Sequence, residues 1–200
     1  MMHPSVLSFS ACVMLATPAL AQVASIRVTH DDPDGLVEPG QVVCIATELT
    51  WSPQSHVAFG ATGGSVLATP ALGQTQGLTS AYGPGLTTLG APVPGGVEGF
   101  RAIGLVPLWV PIVPAPYSVF GPTVLLAFDW IAPSTPGTYE FAYHPSAEYP
   151  LVELFPSTQS QASVPVASEY VGTNLVVVPT PSAVVLFVCG LGGGVRARRR

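Results

Sequence analysis

Apolar and polar residues alternate with period two along several stretches of the chain, each closed by a Pro-Gly or Asp-rich turn. Ser25 to Thr29 is a short strand. His30-Asp31-Asp32-Pro33-Asp34-Gly35 and Pro39-Gly40 are turns. Val42 to Trp51 is a strand with Val43, Ile45, Leu49 and Trp51 on one face. Further on, Val124, Leu126, Phe128 and Trp130 point one way and Asp129 the other. Pro136-Gly137 turns the chain into Thr138 to Tyr143, where Tyr139, Phe141 and Tyr143 oppose Glu140. Leu151 to Phe155 and Val171 to Val178 complete the set. Such alternation between turn signals is the pattern of half-buried antiparallel strands.

The stretch from 60 to 122 breaks that pattern, with 13 Gly and 9 Pro in 63 positions, and predicts short strands and long loops. Pro107, Pro111, Pro114 and Pro116 interrupt the apolar run Leu105 to Phe120 and exclude a membrane helix there. The run reads as an edge strand or extended chain covering the fold, or as an exposed apolar ligand face. Over the whole chain Gly (21) and Pro (22) make a mostly helical fold untenable.

Both ends differ from this body. Residues 1–21 hold an apolar run from Val6 to Ala16 and close with Ala19-Leu20-Ala21 before Gln22. Small residues at Ala19 and Ala21 suit signal peptidase, which predicts a signal peptide cut before Gln22; a buried strand or helix is the competing reading. Residues 179–200 comprise Pro179-Thr180-Pro181-Ser182, an apolar run of 13 residues from Ala183 to Val195, and Arg196, Arg198, Arg199 and Arg200. As a helix this run spans about 20 Å, short of a bilayer's hydrocarbon core. The arginines favour the cytoplasmic side, as in a simple tail anchor.

A Pro-x-Pro-Ser motif, a short apolar helix and a terminal Arg cluster, in that order, resemble the PEP-CTERM sorting signal. The matching positions are Val178, Pro179, Pro181, Ser182 and the Arg cluster; Thr180 departs from the usual Glu. The resemblance implies an exported protein whose tail is recognised by an exosortase-type membrane enzyme. It implies nothing about the body, residues 22–178.

Two features of the body resemble an immunoglobulin-like sandwich: Glu38-Pro39-Gly40-Gln41-Val42-Val43, similar to the turn that opens such domains, and the run from Phe128 to Phe141. The expected fold is therefore all-β, an antiparallel immunoglobulin-like β-sandwich with long Gly/Pro-rich loops, flanked by the signal peptide and the short apolar helix.

Charge narrows the function. The body holds all 11 acidic residues against Arg27 and Arg101, a net charge of −9, and the chain has no Lys. Nucleic-acid binding needs clustered cations and is disfavoured. Cys12 and Cys189 lie in the end segments, so a processed chain retains Cys44 alone, in the apolar run Val42 to Ala46, where it reads as a small buried hydrophobe.

No motif points to catalysis, a cofactor or a metal. There is no Gly-x-Ser-x-Gly and no His-Glu-x-x-His. His30, His56 and His144 are dispersed, and Pro145 denies His144 and Glu148 a shared helix face. The Asp31 to Asp34 turn lacks the late Glu of a calcium loop, since Gln41 stands there, and reads as an Asx turn. Trp51, Trp109, Trp130, Tyr82 and Tyr117 could form a sugar-stacking platform, but Trp51 and Trp130 fall on core faces, which leaves Trp109 and Tyr117 as the better exposed contacts. The expectation is a non-enzymatic surface or extracellular-matrix protein. A carbohydrate-binding or adhesion module for extracellular polysaccharide is the alternative, and a secreted hydrolase the third reading.

Overall fold

The computed structural model describes residues 23–51, 58–80, 87–104 and 123–179, and every regular element in them is a β-strand. One sheet is built from β1 (Val23–His30), β3 (Val42–Trp51), β5 (Gln74–Thr79) and β9 (Thr123–Ile131), in the order β5-β9-β3-β1. The other runs from β2 (Leu36–Val37) through β13 (Thr173–Val177) and β10 (Gly137–Pro145) to β4 (Ala58–Thr69). Beyond β4 lies β8 (Gly96–Ile103), with β6 (Thr87–Thr88) and β7 (Ala91–Val93) paired to it. β11 (Val152–Phe155) continues the line of β10 along β4.

β12 (Val164–Val171) joins the two sheets. Its first residues pair with β11, and from Ala167 onward it runs parallel to β1. β13 and β2 are also parallel. The sandwich is thus mixed, which corrects the antiparallel expectation. Both parallel contacts join segments distant in sequence, where alternation carries no information about partners.

The inner faces meet in one core. Trp130, Tyr139, Phe59, Phe100, Phe128 and Phe141 are its largest fully buried side chains. Each such burial contributes about 1.5–3 kcal/mol. Trp130 sits at the centre of an aromatic cluster, its ring centroid 5.4 Å from Tyr139 and 5.2 Å from Phe141, the latter edge-to-face. Tyr143 is edge-on to Phe100 at 5.8 Å. Tyr139, Phe141 and Tyr143 face inward together, as do Val43, Ile45 and Leu49; Trp51 packs against the core only partly buried.

Three sequence expectations change. The Gly-rich stretch contains most of β4, a 12-residue strand and the longest among the described residues, where short strands were expected. Its Gly64 is required by close approach: a Cβ there would stand 2.2 Å from the His144 carbonyl oxygen on β10. Val124 does not join the buried face of β9. The β3–β9 register shifts between Thr47 and Glu48, and Leu125 turns inward in its place. Cys44 is half-buried on the outer face of β3, because the inward positions of that strand are Val43, Ile45 and Thr47.

Strand bounds shift modestly: β11 starts at Val152, and the span read as one strand from Val171 divides at Gly172 into β12 and β13.

Candidate functional site

Four turns converge at one end of the sandwich. They are the β2–β3 turn at Pro39-Gly40, the β4–β5 turn from Pro70 to Gly73, the β7–β8 turn at Pro94-Gly95, and the segment from Ala132 to Pro136. Main-chain hydrogen bonds brace them. Gly40 N–H donates to the Ala132 carbonyl at 2.9 Å, and Ala132 N–H to Gln41 at 2.9 Å. Gly95 N–H donates to the Gly73 carbonyl at 2.9 Å. Trp130 Nε1–H donates to the Leu72 carbonyl at 2.9 Å, which ties the β4–β5 turn to the aromatic core. Tyr139 OH donates to the Thr135 carbonyl at 2.8 Å and fixes the fourth segment.

Between these turns lies an open trough of about 660 Å³ lined by Pro39, Pro94 and Pro133 together with Gln74, Ile131 and Ser134. It continues onto the outer face of the first sheet, where cross-strand register aligns side chains in rows. Val42, Ile131 and Gln74 form the first row; Cys44, Asp129 and Gln76 the second; Thr29, Ala46 and Ala127 the third. Val42 is 53% exposed. Cys44, Ala46 and Ala127 keep the middle of this face low. Asp129 is the one charged side chain in these rows.

Neighbouring polar groups are committed to holding turns. Asp32 Oδ1 accepts from Gly35 N–H at 2.7 Å and Asp34 N–H at 3.3 Å, and its Oδ2 accepts from Gln41 Nε2 at 3.0 Å. Desolvation raises the Asp32 carboxyl, but these donors, Gly35 foremost, outweigh it and hold the group below its ordinary value. The segment is thus an Asx turn. Among the described residues no group of three His, Cys, Asp or Glu side chains could hold a metal ion. Desolvation also pushes the Cys44 thiol up, reinforced by the carboxylates of Asp31 and Asp129. A thiol so placed is a poor nucleophile. His144 is exposed on β10, while Glu148 pairs with Arg101 instead.

Of the tail residues singled out in the sequence, Val178 and Pro179 are described. Val178 N–H donates to the Val37 carbonyl at 2.9 Å, and Pro179, the last described residue, is exposed. Thr180, Pro181, Ser182 and the Arg cluster lie outside the described residues. So do Ala19, Ala21 and Gln22 at the other end, the C-terminal apolar helix, and Tyr82, Trp109 and Tyr117. The turns at Pro39-Gly40 and Pro136-Gly137 were legible in the sequence, but their convergence with the β4–β5 and β7–β8 turns was not. It depends on bonds between segments apart in sequence, Gly40 with Ala132, Gly95 with Gly73 and the Trp130 indole with Leu72.

The architecture is that of a cohesin-like β-sandwich. It is similar to the seventh ScaB type I cohesin of Pseudobacteroides cellulosolvens, with a TM-score of 0.51 and 8% identity over 90% of this chain and 99% of that one. A type I cohesin of Clostridium thermocellum, solved in a cohesin–dockerin complex, gives a TM-score of 0.51 and 8% identity over 78% of this chain and 99% of that one. At this identity the likeness is one of fold. No family model and no curated protein matches the chain.

Proposed function

We propose that this protein is an exported, non-catalytic protein-interaction module of the cell surface or extracellular matrix. The observation that carries the reading is the extent of the fold likeness: the match takes in 99% of each of two cohesin modules, one of them solved with its dockerin. An adhesion or scaffolding role is therefore favoured over a purely structural one. The partner meets the outer face of the first sheet, around Ala46 and Ala127, and the trough that continues it. Signal peptidase removes residues 1–21, and an exosortase-type enzyme handles the tail at Pro179 to Ser182; both steps rest on the sequence.

Photo-crosslinking in the native host tests the interaction. A photoreactive residue at Ala127 is expected to trap a protein partner, whereas one at Leu67, on β4 of the other sheet, is not. Equal or absent trapping at both positions refutes the proposed face. Intact-mass analysis of the native protein tests the processing. A chain running from Gln22 to the Pro179–Ser182 segment supports it, and one retaining Arg200 refutes tail cleavage.

A further inference from the structure

A second recess, on the outer side of the other sheet, is distinct from the trough and the face that continues it. It encloses about 260 Å³ and is lined by Thr88, Arg101, Ser146, Glu148 and Tyr149 over a floor at Gly63. The floor exists because Gly63 has no side chain: a Cβ there would lie 3.1 Å from Tyr149 Cδ2 and 3.1 Å from the Phe100 carbonyl oxygen. Tyr149 therefore rests directly on β4. Its loop is pinned twice, by Ser146 N–H donating to the Gly63 carbonyl at 2.8 Å and by Tyr149 N–H donating to Ser146 Oγ at 3.1 Å. Strand register sets Thr88 beside Arg101.

Arg101 is one of two arginines in a body of eleven carboxylates. Its Nη1 donates to Glu148 Oε1 at a long 3.4 Å, with the two side chains 44% and 65% exposed. A pair this open contributes little stability, so both groups retain capacity for a ligand. Guanidinium donors, a carboxylate acceptor, two hydroxyls and a tyrosine ring converge there with no net charge. A charged ligand would face a like charge on one wall. A ring of vicinal hydroxyls satisfies both walls, each hydroxyl accepting from Arg101 or donating to Glu148, while its C–H face meets Tyr149. The recess holds roughly nine water volumes, which suits one sugar ring.

We infer that this recess binds a single neutral pyranose residue of an extracellular polysaccharide. It opens at the far end of β10 from Gly137, about 25–30 Å along the strand. The inference goes beyond the protein-partner reading and stands or falls separately from it.

The test is saturation-transfer NMR and titration of the full exported chain. The probes are methyl α-glucopyranoside, methyl α-mannopyranoside, methyl β-galactopyranoside and methyl glucuronopyranoside. At least one neutral glycoside is expected to bind with Kd near ~1 mM. Arg101→Ala and Tyr149→Leu should each weaken it at least about tenfold, as a lost charged donor or stacking face does. Gln74→Ala, in the trough, should leave it unchanged. Glu148→Gln, the least intrusive of the set, should weaken binding without altering the urea midpoint. No transfer to any neutral probe, binding that survives Arg101→Ala combined with Tyr149→Leu, or preference for the glucuronide overturns the inference. Crosslinking at Ala127 is independent of each result.

Discussion

Trp130→Phe is the sharpest probe of how the trough end is held. Trp130 is fully buried, its Nε1–H satisfies the Leu72 carbonyl, and its ring meets Tyr139 and Phe141. Phe preserves an aromatic contact but deletes the donor and part of the ring. The lost hydrogen bond costs about 1 kcal/mol, and a carbonyl left without its partner adds about 1–2 kcal/mol. The vacated ring volume adds about 1 kcal/mol. The expected total is about 3–4 kcal/mol. With a urea m-value of about 2 kcal/mol/M, the unfolding midpoint falls by about 1.5–2 M.

A second substitution makes the reasoning testable beyond one number. Gly73 has φ of +92°, and a Cβ there would stand 2.1 Å from Trp130 Nε1 and 2.7 Å from Cε2. Gly73→Ala alone therefore meets the indole as well as the left-handed backbone, which itself costs about 1–2 kcal/mol. In the Trp130→Phe background the indole nitrogen is gone, so only the backbone cost and any residual contact remain. The two substitutions should be non-additive by about 1 kcal/mol or more. A single-mutant midpoint shift under about 0.3 M, or strict additivity in the double-mutant cycle, would refute the contact described.

Three further outcomes are expected. Gly64→Ala, which sets a Cβ against the His144 carbonyl oxygen, should destabilise by more than about 2 kcal/mol, and the loss of midpoint in urea reads it directly. Burial pushes the Tyr143 hydroxyl up to about 12, despite its hydrogen bond with Thr62 and with the Tyr170 hydroxyl adding to the rise. Its folded value is raised, so its contribution is complete below the ordinary value and is lost as pH climbs from about 10 to about 12, by on the order of 2–3 kcal/mol. Urea midpoints measured across that range should fall less steeply in Tyr143→Phe, and an unchanged slope would contradict the assignment. The Cys44 thiol, raised by desolvation and by Asp31 and Asp129, should react with a thiol reagent more slowly than free cysteine, and Asp129→Asn should speed it.

Much of the first sheet was legible. Around Val43 to Leu49 and Phe128 to Trp130, a buried face alternates with a solvent-facing one, and that alternation is written directly into residue type. β10 was legible for the same reason. β4 was hidden because its interior is set by close approach, which selects Gly60, Gly63 and Gly64 over strand-forming residues. The inward turn of Leu125 was hidden because one extra residue reverses a face without leaving a local mark. Cys44 illustrates the complementary error: an apolar run does not state which of its two faces is inward. For the site, turn chemistry marked Pro39-Gly40 and Pro136-Gly137 but not the other two turns, while the recess at Arg101 joins β6, β8 and the loop after β10 and has no sequence signature.

The exit of the chain has a mechanical consequence. β13 reaches Val177 alongside β10, with five residue pairs in antiparallel register from Gly137–Val177 to Phe141–Thr173. A pull on Val177 directed along β13 would load those pairs in shear, all at once, where a perpendicular pull would peel them one by one. Under load the rate of rupture governs survival, and a strand sheared along its whole length resists better than one unzipped from its end. Were the chain held by its tail, as proposed, this strand would carry the load into β10.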